Sequence, residues 1–268
     1  MDRGRGEIDV FPDFWMPNHS ATWKEYIAKG SRETVLVNKP YLGTQGIYVP
    51  GYLQDAHDIR RAEQLADPAV AKLFDTDGNG LGEYWAGPAG WTSTPVEVVK
   101  ANTYGYAEYF EMLSSEDTDF KKELVAKYQR QEPLLFYYWT PDRIHASLDL
   151  RKLEEPPFDG FAMPSKKDDP LYDPDGCWYM LYPEEDEAWK TKSRVSCAYP
   201  DSSVYVAYSK SLVERIPAAA HFLQRIELQP ETVTGWILLV SEYDMEPTEM
   251  ARAWIEETQD IVDGWLTK

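Results

Sequence analysis

Polar and apolar residues alternate along Gly6-Glu7-Ile8-Asp9-Val10-Phe11, which predicts a strand close to the start of the chain. Ser20 then caps a helix carrying Trp23, Tyr26 and Ile27 that stops at Gly30. Short β-branched runs at Thr34–Val37 and Gly46–Val49 predict two more strands. Asp67-Pro68 is an N-cap with proline at the first helical position, opening a short helix to Phe74. Helices follow over Pro95–Asn102 and Asp119–Arg130, the second with Leu124, Val125 and Tyr128 turned inward. Leu134–Trp139 reads as a buried strand ending at Thr140-Pro141, and Pro156–Pro200, rich in Pro, Asp and Gly, reads as loop. Val204–Tyr208 is a strand, Pro217 opens a helix, and Pro247 opens the last one, with Met250, Trp254, Ile261 and Trp265 on an inward face. Strands interleaved with helices predict an α/β protein, and 268 residues suffice for one large domain or two lobes.

Charge narrows the partners. A formal net charge of −19 leaves no basic stripe for nucleic-acid phosphate and disfavours an anionic membrane surface. No run of about 18 apolar residues is present to span a bilayer, and Met1-Asp2-Arg3-Gly4 is not followed by the apolar stretch of a signal peptide. The chain therefore reads as cytoplasmic or as lacking its leader. Cys177 and Cys197 read either as two buried thiols or, in an exported protein, as a disulfide contributing about 3 kcal/mol. With no histidine near them, zinc is not expected. Asp75-Thr76-Asp77-Gly78-Asn79-Gly80 begins like a calcium loop, but the twelfth position, where a bidentate Glu is needed, is Ala86, so a structural turn is expected. Neither a metal nor a cofactor is expected.

Chemistry concentrates at three tryptophans in distinctive settings: Trp15 in FWMPNHS, Trp91 in GPAGWTS and Trp139 in FYYWTP. Each lies at or beside the end of a strand-like run. Together they suggest aromatic faces around a quaternary ammonium, a cation with no N–H to donate that is drawn to the negative face of an indole. Thr92 and Ser93 lead from Trp91 into a helix whose first amides would face an anion. His19, four residues after Trp15, would donate to the same carboxylate. A zwitterion with an onium head and a carboxylate tail satisfies both halves.

The chain at this point resembles the substrate-binding proteins of glycine betaine/proline betaine ABC importers. The resemblance runs through GEIDVFPDFWMPNH, ADPAVAKLFDTDGNG, GPAGWTS, LLFYYWTP, DSSVYVAYSK and the closing DGWL. It implies a two-lobed periplasmic-binding-protein type II fold. Residues 1–49 and 204–268 would form lobe 1 and residues 50–203 lobe 2, with strand-like crossings near Val49-Pro50 and Ser203-Val204. It implies that Trp15, Trp91 and Trp139 wall the onium, while His19 and the amides of Thr92 and Ser93 hold the carboxylate. It further implies a non-catalytic carrier, periplasmic or at the cell surface in full-length form, that presents a betaine-type ligand to an ABC permease. Gram-negative relatives carry a small disulfide across the Trp91 loop, where this chain has Gly87 and Ser93. They also have roughly one more βαβ unit before the GEIDVF strand, so the first lobe is expected to be incomplete, with exposed apolar surface.

Two rival readings remain at this level. Choline, carnitine or dimethylsulfoniopropionate would also suit an aromatic cage, and choline, which lacks the carboxylate, would bind without His19. A carbohydrate-active enzyme would use the tryptophans as stacking platforms and would need two carboxylates facing each other within about 5–10 Å.

Overall fold

The structure is a computed structural model and describes residues 8–17 and 19–267. Its strands, in chain order, are β1 (Val10–Met16), β2 (Val35–Val37), β3 (Tyr41–Pro50), β4 (Gly82–Trp85), β5 (Phe110–Leu113), β6 (Phe136–Thr140), β7 (Leu150–Lys152), β8 (Trp178–Tyr179), β9 (Arg194–Val195) and β10 (Ser202–Ser209). The chain divides into two compact units. Unit one comprises Met1–Thr44, Thr140–Ala146 and Asp201–Lys268; unit two comprises Gln45–Trp139 and Ser147–Pro200.

In unit one, β10 is the organising strand. It pairs antiparallel with β1 on one side, from Val10↔Tyr208 to Met16↔Ser203, and with β2 and the start of β3 on the other. Five helices follow β10 in sequence, the longest being Pro230–Glu242 and Pro247–Glu257. Tyr208, Leu212 and Ala220 form a small buried cluster, with Leu36 and Leu223 against it.

Unit two has the strand order β7-β3-β6-β4-β5. β4 runs parallel to both β5 and β6, and β7 is antiparallel to β3. Parallel neighbours demand crossovers, supplied by the helices Ser93–Tyr104 and Asp117–Gln129. The core over this sheet gathers Ile47, Val49, Leu65, Phe74, Tyr84, Phe110, Leu135 and Leu153. A second cluster packs Val96 and Val99 of the Ser93 helix against Phe161, Trp178, Met180 and Val195. The disulfide Cys177–Cys197 ties the two ends of the β8–β9 ribbon in this cluster together, which decides between the two readings of the cysteines.

Several elements depart from the sequence pattern. β1 begins at Val10 because pairing with β10 begins there; Gly6 and Glu7 lie outside the described residues. Ser20 is the first helical residue, and His19 takes the cap position without a side-chain hydrogen bond. Val125 faces outward, 37% exposed, while Leu124 is buried. The last helix is two pieces, Pro247–Glu257 and Gln259–Leu266, broken at Thr258, whose hydroxyl donates to Trp254 O at 2.6 Å. The break resets the helical phase, so Ile261 is 49% exposed while Trp254 and Trp265 stack at 5.7 Å. The helix Pro230–Glu242 was hidden by its β-branched TVTGWILLV composition, yet Pro230 starts it at the first turn. The Asp75–Gly80 loop spends its carboxylates on its own amides: Asp75 accepts from Gly78 and Gly80, and Asp77 from Asn79.

Candidate functional site

Two of the three tryptophans meet in unit two. Trp91 and Trp139 lie edge to face, ring centroids 4.9 Å apart and planes at 72°, a favourable aromatic arrangement. Their supports differ. Trp139 is the last residue of its unit on β6 and lies flat on Tyr138, 4.3 Å away. Trp91 stands in the loop after β4 and is backed edge-on by Trp85, whose ring stacks on Phe120 at 3.7 Å and whose indole N–H donates to Ser115 Oγ at 2.9 Å. Both Trp91 and Trp139 are half-buried on the rim of the main core.

The Trp91 loop is fastened by polar contacts. Trp91 N and the Thr94 hydroxyl both donate to Pro88 O, at 3.0 and 2.6 Å, and the Ser114 hydroxyl donates to Gly87 O at 2.8 Å. Gly87 sits at φ +106°, and a Cβ there would fall 2.7 Å from Trp91 Cε3. The small residue before the tryptophan thus makes room for the indole itself, as well as supplying a left-handed turn.

Thr92 and Ser93 start the Ser93–Tyr104 helix directly after Trp91. Thr92 makes no side-chain cap, and no acidic residue occupies the first turn. First-turn amides have no intrahelical partner, and here no side chain of the cap substitutes for an anion. The buried hydroxyl of Ser93 is engaged with Tyr137.

Trp15 and His19 belong to unit one. Trp15 pairs across from Val204, and its indole N–H donates to Asp13 Oδ1 at 2.6 Å. Its six-membered ring lies over Gly43, where a Cβ would come within 2.4 Å. His19 N donates to Trp15 O at 2.9 Å, which ties the two residues together through the backbone. The imidazole packs against Phe14, 5.0 Å between centroids. Burial pushes its pKa below the usual value, partly opposed by the charge of Asp13, so the ring is held toward its neutral form.

Sequence reasoning missed the layer beneath Trp91 and Trp139. Tyr137, two residues before Trp139 and so on the same face of β6, donates to Gln45 Oε1 at 2.6 Å and touches the rings of Trp91, Trp139 and Tyr199. Its period-two relation to Trp139 was the available signal. Glu97 and Lys100 gave none, since charged residues three apart on a helix normally lie on a solvated face. Glu97 and Glu155 are nonetheless buried: Glu97 accepts from Tyr84 and Tyr199, and Glu155 pairs with Lys100. Burial, as the largest influence, raises the pKa of Glu97, with Lys100 pulling it back. These two carboxylates are committed to buried partners, not set facing each other across a cleft as glycoside chemistry requires.

Comparison with known proteins places these features in a family context. A family model described as the substrate binding domain of ABC-type glycine betaine transport system matches residues 4–257. The glycine betaine/proline betaine-binding periplasmic protein of Escherichia coli K12 is 24% identical over 276 residues, 95% of this chain and 72% of that protein. The glycine betaine-binding periplasmic protein OusX of Dickeya dadantii is 24% identical over 240 residues, 83% of this chain and 66% of that one. Among solved structures, lactococcal OpuAC in its closed form with glycine betaine superposes with a TM-score of 0.60 at 16% identity, covering 98% of this chain and 81% of that one. An ABC-transporter choline-binding protein in complex with choline gives 0.61 at 14% identity, covering 97% and 74%. The fold is accordingly the two-lobed α/β fold of type II periplasmic binding proteins. No described helix is long and apolar enough to cross a membrane.

Proposed function

Since this chain belongs to the OpuAC family, the substrate-binding domains of ABC-type glycine betaine transport systems, we propose that it captures a quaternary-ammonium osmolyte, glycine betaine or proline betaine, and delivers it to the permease of an ABC importer. The observation that carries this reading is the pair Trp91–Trp139: two half-exposed indoles at 72°, beside a helix start with no cap of its own. The onium head lies against the indole faces, and the carboxylate takes the amides of Thr92 and Ser93. Trp15 is assigned as a third indole, and His19, neutral and able to donate an N–H, as a further carboxylate partner.

The energetics suit capture and release. Three desolvated cation–π contacts contribute about 6 kcal/mol at about 2 each, and each charge-assisted hydrogen bond to the carboxylate adds about 1.5–3. After the entropy of capture is subtracted, a micromolar Kd, about −8 kcal/mol, is within reach. A protonated primary amine such as glycine keeps its hydration and is rejected. Bound ligand favours the conformer that the permease accepts. The Cys177–Cys197 disulfide supports residence in an oxidising compartment such as the periplasm or cell surface.

The test is a calorimetric titration with glycine betaine, proline betaine, choline and glycine, followed in parallel by tryptophan fluorescence. Micromolar binding of the betaines with a fluorescence change, and none for glycine, is expected. Choline binding as tight as betaine binding would reassign the substrate to an onium alcohol, and silence with every onium compound would end the proposal.

A further inference from the structure

The helix Ser93–Tyr104 turns a polar stripe inward. Ser93, Glu97 and Lys100 follow at i, i+4 and i+7, one line along a helix, and are 6%, 0% and 0% exposed. A helix packed on a core ordinarily places apolar side chains there; here Val96 and Val99 flank the stripe and pack elsewhere in the second cluster. Each polar residue reaches a different part of unit two. Ser93 engages Tyr137 of β6, which continues to Gln45 of β3. Glu97 accepts from Tyr84 of β4 and, at 2.6 Å, from Tyr199. Lys100 lies 2.5 Å from Glu155 and 4.5 Å above the Tyr199 ring, while Tyr104 donates to the same Glu155 oxygen at 3.1 Å.

We propose that this buried stripe, with Glu97 at its centre, is a positioning device: it fixes the axial and rotational setting of the helix and so aims its first-turn amides at the ligand carboxylate. The inference rests on the onium-carboxylate reading above. The physical reason lies in the distance and angle dependence of polar contacts. Apolar side chains tolerate small slides and rotations, whereas hydrogen bonds weaken steeply as they lengthen or bend. A buried charge deprived of its partner is costly, so settings of the helix that satisfy all of these groups are separated from those that do not. Stability alone gives no reason for such a stripe, because well-packed apolar residues in place of a buried ionic set are often neutral or stabilising. Placement does give one, and Glu97 lies one turn from the amides that need placing.

The experiment uses Glu97→Gln and, in parallel, the triple replacement Glu97→Met, Lys100→Met, Glu155→Met. Each protein is titrated with glycine betaine and with choline, and amide exchange of the Ser93–Tyr104 helix is measured without ligand. In Glu97→Gln, glycine betaine affinity is expected to fall about tenfold, choline affinity less than about threefold, with exchange at the first internally bonded amides of the helix, from Val96 onward, about tenfold faster and β4 and β6 unchanged. With the hydroxyls that donate to these carboxylates removed as well, by Tyr84→Phe, Tyr104→Phe and Tyr199→Phe, the triple replacement is expected to keep its melting temperature while losing the preference for the carboxylate-bearing ligand. Equal losses for both ligands, or amides from Val96 onward as protected as in the parent, would overturn the inference and leave the stripe as packing alone. A parent protein that binds neither ligand refutes the onium reading instead; the exchange measurement then still decides whether the stripe holds the helix. Should Glu97→Gln fail to fold, the triple replacement supplies the same comparison.

Discussion

The two units of this chain use similar residues to opposite effect. Unit two closes a core over a largely parallel sheet, with Ile47, Ile59, Leu65, Tyr84, Tyr106, Leu124 and Phe136 fully shielded. Unit one ends in the helices Pro230–Glu242, Pro247–Glu257 and Gln259–Leu266, and among their described residues only Val262 is buried. Their tryptophans meet each other instead: Trp236 with Trp254 at 4.9 Å, and Trp254 with Trp265 at 5.7 Å. Ring-to-ring contact of this kind leaves much apolar surface in water, so it yields less than full burial at about 25 cal/mol per Å². Resistance to opening is therefore expected to concentrate in unit two, which holds the Trp91–Trp139 corner and the polar stripe. Precision at a binding surface needs rigid support, and the difference between the units shows where this molecule has it.

The comparison breaks most visibly at core substitutions. Phe74→Ala in unit two is expected to cost about 3–5 kcal/mol, read as a fall in the denaturation midpoint, whereas Val262→Ala in unit one should cost about 1.5. Equal costs would mean that the half-exposed helices are as tightly held as the sheet. Next come the indoles. Trp91→Ala and Trp139→Ala should each weaken glycine betaine binding about 30-fold, the equivalent of about 2 kcal/mol, without the stability loss of Phe74→Ala. Gly87→Ala sharpens the point at a single methyl. It strains a backbone at φ +106° and pushes into Trp91, so affinity should fall about tenfold with a melting-temperature decrease to match. Gly43→Ala, which meets Trp15 instead, applies the same test to unit one.

The smallest effect concerns His19. Its folded pKa is depressed by burial, so the unfolded chain takes up a proton first as the pH falls. Stability contributed by the neutral ring is complete above the unfolded value of about 6.5 and declines as the pH drops from there through the lower folded value. Melting curves of the parent and of His19→Gln between pH 7.5 and 5 should diverge only in that window. Identical pH profiles would show that the imidazole is not shielded by Phe14.

How far the sequence foretold this arrangement depends on what each feature rests on. Local chemistry was readable: Asp67 caps through Ala69 N at 2.8 Å with Pro68 at the first position, as the dipeptide predicts. Pro217, Pro230 and Pro247 each open a helix, although the middle one was masked by strand-like residues. Trp91 and Trp139 stood out by motif context, while their separation in sequence made the geometry itself illegible. Glu97 and Lys100 were illegible for a different reason. A charged pair on a helix faces water by default, and what draws this pair inside is a set of tyrosines at positions 84, 104 and 199, which only the folded chain assembles. Strand ends were misplaced wherever pairing, not composition, decides them, as at Val10 and at Tyr41.

The bridge between Cys177 and Cys197 has a consequence for how the molecule is made. The ribbon it closes, β8 with β9, contains two residues per strand, too few to persist by backbone pairing alone. Just beyond Cys197, Tyr199 enters the tyrosine and carboxylate cluster through Glu97. Chains synthesised where thiols stay reduced should therefore hold residues 156–200 by the Phe161, Trp178, Met180 and Val195 packing alone and be cut there by proteases more readily. Chains that meet an oxidant should emerge with that flap sealed before any cargo arrives.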